Sequence, residues 1–140
     1  MADRLIEELD EAESLRLISA GGIGRIAYQG RFGPAVLPVN YKWHDGAIVF
    51  RTVRHSALDE DLQTGISGGD YLVAFEIDDY DVPGRQGWSV LIQGPAHHVE
   101  SETERTAAKE AGVEPWAPGN RELFLRIVPQ RVTGRRIRPV

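Results

Sequence analysis

The sequence predicts a mainly β domain: an antiparallel barrel of about six strands with a few small helices. Three observations carry that expectation. Short β-like runs recur along most of the chain at hairpin-scale spacing. "HDG" at 44–46 is a hairpin-turn signal between two of them. The helical stretches are few, and they do not alternate with the strands as βαβ crossovers would.

Asp10 followed by Glu13 fits a capping box, and Leu15, Leu17 and Ile18 supply an apolar stripe. A first helix is expected over 10–20, with Gly21-Gly22 as its stop. Residues 1–9 are expected to be a tail, and residues 10–140 the domain. Strands are expected at 24–28, at 34–43 after the turn "QGRFG", and at 47–52. A short helix over 56–63 interrupts the sheet. A fourth strand at 70–77 sets Leu72, Ala74 and Glu76 on one face and Val73, Phe75 and Ile77 on the other. A long fifth covers 88–99, with Gly94-Pro95 as a bend or bulge. Ser101 and Glu104 open a helix over 101–111, "GVEPWAPGN" is a loop, and 122–128 with 131–137 close the chain as one kinked or two successive strands.

At 140 residues the chain has the size of one domain, large enough to bury a core unaided. It has no cysteine, which excludes disulfides, thiol catalysis and thiolate metal sites. The net charge of -5 argues against general nucleic-acid binding, which needs a basic field. Of 16 basic residues only Lys42 and Lys109 are lysine, so arginine is the ordinary cation of this chain. The charged opening "MADRLIEELDEAE" and the lack of a long apolar run lead us to expect a cytoplasmic, soluble protein without membrane contact.

Several motifs carry little. "GGIG" at 21–24 follows a helix and opens a strand, the reverse of a dinucleotide fingerprint. His44, His55, His97 and His98 lack metal-ligand spacing, and the adjacent pair points to opposite faces of a strand. Ser89 lies in "GWSV", without a nucleophile elbow. "FEIDDYD" at 75–81 offers carboxylates, most of them placed at an expected strand end and turn.

"VFRTVRHSALDED" at 49–61 says more. Ser56 as N-cap leaves a helix N-terminus facing a turn that holds Arg51, Thr52, Arg54 and His55. Backbone amides, a guanidinium and a hydroxyl in that order suit an anion such as a phosphate. A capped helix with solvated arginines fits the same letters. Trp88 opens a strand, where it serves equally as core or ligand wall; Trp116 sits in a loop, where a flat apolar wall is the better reading.

Taken in order, "LDEAESLRLISAGGIGRIAY", "PAVLPVNY", "IVFRT", "VAFEIDDYD", "GWSVLIQGPAHHV" and "FLRIVPQRVTGRR" resemble the pyridoxamine 5'-phosphate oxidase-like family. Within these flavin-binding split β-barrels, the likeness points to the nitroimidazole-resistance-like and actinobacterial flavin- or deazaflavin-dependent branches. It spans about Asp10 to Ile137. It implies a six-stranded split barrel of Greek-key type that forms a homodimer, with two cofactor sites at the subunit interface. The family most often binds FMN; some branches use the deazaflavin coenzyme F-420, and a few bind FAD or haem. By this resemblance "FRT" and the following turn hold phosphate: Arg51, Thr52, Arg54, His55 and Ser56. Pro38, Val39 and Asn40 of "PVNY" line the ring. Trp88 and Ser89 reach ring or phosphate, from the same or the other subunit, and Trp116 closes the site. The chain departs from the family pattern at Ala57 and His55, where close relatives commonly carry lysine and glycine. The implied activity is oxidoreduction of a small flat electrophile. The alternatives are a non-catalytic cofactor or haem binder, with His55, His97 or His98 as candidate haem ligands, and a barrel that binds nothing.

Overall fold

The computed structural model describes residues 4–53, 56–62, 71–116 and 123–139. In chain order these form β1 (Arg4–Leu9), α1 (Glu11–Ile18), β2 (Gly22–Gly30), β3 (Gly33–His44), β4 (Ala47–Thr52), α2 (Ala57–Asp61), β5 (Tyr71–Asp81), β6 (Gln86–His98), α3 (Glu102–Glu110), β7 (Leu123–Ile127) and β8 (Arg131–Pro139). The strands run in the order β1-β8-β6-β5-β2-β3-β4-β7, and a further β6–β7 pairing closes the ring. Every pairing is antiparallel. Six strands, from β6 round to β7, therefore make a closed barrel, while β8 and β1 extend from it as a flap.

The closure depends on one bend. Residues 87–93 of β6 pair with β8, whereas Ala96, His97 and His98 pair with β7. The partner changes at Gly94-Pro95, where the β8 ladder has ended and that of β7 has not begun. Proline, which cannot donate, costs nothing on that side. A side chain at Gly94 would lie 2.2 Å from the Val128 carbonyl, so glycine is what lets the β7–β8 connection pass.

Local signals explain the elements. The Asp10 side chain caps α1 by accepting from the Glu13 N–H at 2.8 Å. The helix stops at Ile18, and Gly21 (φ 79°) turns the chain into β2. Asp45 and Gly46 both have positive φ, 52° and 74°, as a two-residue hairpin requires. Val73, Phe75 and Ile77 face inward as their alternation predicts. Phe75 sits at the centre, edge-on to Tyr41 at 5.4 Å and stacked on Phe50 at 6.1 Å. Leu58 and Leu62 carry α2 into the same core. On the outside, α3 covers β4 and β7 through Val49, Val99, Ala108, Val113 and Phe124.

Two expectations are corrected. Residues 4–9 are not a tail but strand β1, paired along its length with β8. The fourth strand does not end at residue 77. It continues through Asp78, Asp79 and Tyr80 to Asp81, which pairs with Gln86. This arm of the β5–β6 hairpin is solvated, so strand aspartates there cost little. No described helix is long and apolar enough to cross a membrane.

Candidate functional site

Strand alternation decides which face each candidate residue serves. On β3, Tyr41 is buried and Val39 packs against the core, so Pro38 and Asn40 point outward. On β4, Phe50 and Thr52 are buried inward, and Arg51 points outward. Tyr41 pairs with Phe50; Asn40 and Arg51 are the next residues on each strand, on the outer face.

The segment after α3 lies across these strand ends. Arg51 Nη1 donates to the Val113 carbonyl at 3.3 Å, and the guanidinium lies over the Phe124 ring, 5.0 Å from its centroid. The Trp116 N–H donates to Asn40 Oδ1 at 2.8 Å. The Trp116 residue is left 77% exposed, so its indole stands in solvent. Pattern alone did not reveal the Phe124 and Val113 supports under Arg51; the register of β4 against β7, which pairs Arg51 with Phe124, supplies them.

Thr52 and Ser56 take another role. The Thr52 hydroxyl is buried and lies 3.1 Å from Ser56 Oγ, which in turn accepts from the Asp59 N–H at 3.2 Å. These hydroxyls fasten α2, on the opposite side of β4 from the Arg51 side chain. The helix is only five residues long and bears Asp59 and Glu60 in its first turn, which disfavours an anion there. The expected joint grip of Arg51, Thr52 and Ser56 on one phosphate is therefore not the arrangement found. Arg54 and His55 lie outside the described residues.

Trp88 and Ser89 stand on the half of β6 that pairs with β8. Trp88 packs against the core, and Ser89 faces outward opposite Asp78 and Arg135. Within one chain, β5 and β2 separate them from Asn40.

The outer face of that sheet is apolar at one end and charged at the other. Val36 and Leu72 are 60% and 70% exposed. Ala27 pairs with both Val36 and Ala74 between them. A groove of about 630 Å³ runs along this end past Ala27, Val36, Leu72 and Arg131. At the charged end, Arg25 Nη1 lies 3.5 Å from both Glu76 and Asp78. Burial, then the hydrogen bond and charge of Asp78, push the Glu76 carboxyl up to about 7, against the pull of Arg25. The sequence expectation ended the strand before Asp78; the longer β5 and the shared arginine are what bring the two carboxylates together.

His97 Nε2 lies 3.0 Å from Glu104, and His98 Nε2 lies 2.9 Å from the buried Asp59. Both rings are thus turned to carboxylates, and the haem reading gains no support from them. Among the described residues there is no cluster suited to a metal ion.

A family model for pyridoxamine 5'-phosphate oxidase matches residues 10–136. An uncharacterised Mycobacterium tuberculosis protein, Rv0080, is 34% identical over 134 residues, covering 96% of this chain and 87% of its own. The structure of the FAD-binding protein from Mycobacterium smegmatis is 29% identical with a TM-score of 0.75, covering 93% of this chain and 98% of that one. An FAD-binding protein from Mesorhizobium loti shares the fold, with a TM-score of 0.75 at 20% identity over 94% of this chain and 98% of its own. With the closed barrel, the β6 bend and these likenesses, the chain belongs to the pyridoxamine 5'-phosphate oxidase family.

Proposed function

We propose that the protein is a homodimeric flavin-dependent oxidoreductase whose cofactor lies along the outer ends of β3 and β4, beneath a second protomer. The convergence of Arg51, Asn40 and the exposed Trp116 carries this reading. A flavin needs a cationic contact for its phosphate, a polar contact at the ring edge and a flat apolar surface. Arg51, steadied over Phe124, suits the phosphate, and Asn40 and Trp116 suit the ring. Ala57 offers no charge where a lysine is usual, so the cationic part falls to Arg51 and Arg54.

The bound flavin would supply hydride or electron transfer. The chain's own residues bind and orient it, and the apolar face with Val36 and Leu72 excludes water once covered by a second copy. The similar M. smegmatis protein binds FAD, which favours FAD within the class over FMN, with F-420 as the further candidate.

Titration of the purified protein with FAD, FMN and F-420, with sedimentation in parallel, tests the reading. It requires saturable binding of one of them by a dimer, and oxidation of the reduced cofactor by a quinone, nitroimidazole or enone. No binding of any of the three rejects it; binding without turnover makes the protein a carrier.

A further inference from the structure

Another cleft opens on the outer face of the sheet, beyond the strand that suits the flavin ring. We propose that Glu76, in its wall, is the acid that gives a proton to a conjugated carbonyl substrate reduced there, an inference that rests on the flavin reading.

Register places the carboxyl. On the outer face, Arg25 of β2 stands opposite Pro38 of β3, and Ile23 stands opposite Asn40. On its other side Arg25 stands opposite Glu76 of β5. Two strand spacings of about 4.8 Å therefore separate Glu76 from the segment suited to the ring. Asp78 is the next outward residue on β5. Beyond Glu76 the same row continues to Leu91 of β6 and Thr133 of β8. A cleft of about 550 Å³ lies here, with Glu76, Ser89, Leu91, Thr133 and Arg135 in its wall. That volume falls in the range of small-molecule sites, roughly 300–1,000 Å³. Glu76 forms the β5 side of the cleft, the side toward Pro38 and Asn40. A ligand there has the acid between itself and the cofactor segment.

The surroundings keep a proton on this carboxyl near neutrality. Arg25 faces it from β2 and Asp78 from its own strand. Around the cleft stand Arg131 and Arg135 of β8 and Glu8 of β1, while β6 turns only Ser89 and Leu91 toward it. Arg25 Nη1 lies 3.5 Å from each carboxylate, one cation shared by two acids. Burial, then Asp78, outweigh that attraction and hold Glu76 at about 7. The side chain keeps 34% of its exposure, so a ligand can reach it. A general acid works best when its pKa lies near the working pH.

The step balances. The conjugated carbonyl takes hydride at its β-carbon from the reduced flavin, which is thereby oxidised. The C=C pair shifts toward the carbonyl carbon, and the C=O pair settles on oxygen. The Glu76 O–H bond breaks as a new O–H bond forms there, and the product leaves as an enol. The Glu76 carboxylate then recovers a proton from water.

NMR of the glutamate carboxyl carbons, with Glu76→Gln to assign the signal, reads this proton without turnover. Glu76 should titrate near pH 7 in the full chain. In protein loaded with the oxidised flavin that the titration identifies, 2-cyclohexenone should move that midpoint. In anaerobic single turnovers with the reduced flavin, the rate of cyclohexenone reduction should fall above pH 7. Glu76→Gln, which keeps the shape of the side chain, should slow the step at pH 6 by about a hundredfold and remove the fall, with flavin affinity unchanged. Asp78→Asn should move the fall to lower pH, because the repulsion that raises Glu76 is gone. A Glu76 signal that ignores the ketone in loaded protein, no cyclohexenone reduction by the wild type, or a Glu76→Gln rate and pH profile matching the wild type would overturn the assignment and leave flavin binding standing. Failure of FAD, FMN and F-420 to bind would remove both.

Discussion

Asn40 and Trp116, 76 positions apart, are joined by a 2.8 Å hydrogen bond from the tryptophan N–H to the asparagine Oδ1. With the Arg51 contact to Val113, it docks the chain after α3 onto the outer ends of β3 and β4. An outward asparagine in a strand thereby fixes a loop that carries an exposed indole.

Asn40→Leu keeps the bulk and removes the acceptor. The freed N–H is exposed and can turn to water, so the stability cost should be only about 0.5–1.5 kcal/mol. Flavin affinity should fall by about tenfold, because the loop must then be ordered on binding. Thermal unfolding and a flavin fluorescence titration, run together, separate the two effects. An equal wild-type affinity would remove Asn40 from the site.

Arg51→Met should weaken cofactor binding by about 1.5–3 kcal/mol, the range of a hydrogen bond to a charged group. The variant also loses the contact over Phe124, so a smaller loss in folding stability should accompany it. Arg51→Lys should recover only part of the affinity, since a point charge cannot reproduce the guanidinium fork held over the Phe124 ring. The same titration, repeated at low and high salt, reads both.

Gly24 exists for Phe75. A Cβ at position 24 would stand 2.1 Å from Cε1 of that ring, which is fully buried. Gly24→Ala should therefore destabilise the fold by about 1–3 kcal/mol through overpacking. Phe75→Leu should be less harmful on the alanine background than on the wild type, because the two changes share one space. Denaturant unfolding of the four proteins closes the cycle; additive costs would disprove the shared contact.

The sequence disclosed the barrel wherever burial follows a period, as with Val73, Phe75 and Ile77. It hid β1 because that strand is not ordered by burial. Leu5 and Ile6 are 40% and 64% exposed, so no alternation marks them. β1 is held by its backbone ladder with β8, and Glu7 adds Arg136 and Arg138 across it. Half of that signal lies at the far end of the chain. The site was split in the same way. Arg51 and Asn40 were legible as letters in short motifs. "FRT" read as a cluster ignores that a strand sends neighbouring side chains to opposite faces, which puts Thr52 and Arg51 on different sides of β4. The supports Phe124 and Val113 come from a register that local pattern does not encode.

Asp59 and His98 should prove costly to separate. The carboxyl is buried at the base of α2, and the ring at the end of β6 meets it at 2.9 Å. Either Asp59→Ala or His98→Leu leaves a buried polar partner, at a cost of about 3–5 kcal/mol if the survivor stays charged. The double variant should cost clearly less than the sum. A chemical-denaturation cycle reads the coupling, and simple additivity would show that the two groups are independent.

Glu76 should give the fold a pH dependence near neutrality. Its carboxyl, held at about 7 against an ordinary 4.5 chiefly by burial and then by Asp78, is easier to protonate in the folded chain than in the unfolded one. The stability it confers is complete below pH 4.5 and is lost as pH rises through about 7. The Glu13 carboxyl runs the other way. Arg16 and Arg136 hold it down at about 2, so its contribution is present above 4.5 and is lost as pH falls through 2. The melting temperature should accordingly decline from pH 5 to pH 8. Glu76→Gln should flatten that limb and leave the acid limb unchanged. The Glu76 side chain is 34% exposed, so solvent screens the effect to about 1 kcal/mol or less. Asp78→Asn should also flatten the decline, by removing the repulsion while keeping the hydrogen bond. A wild-type melting temperature that stays level between pH 5 and pH 8 would show that Arg25 alone neutralises the pair.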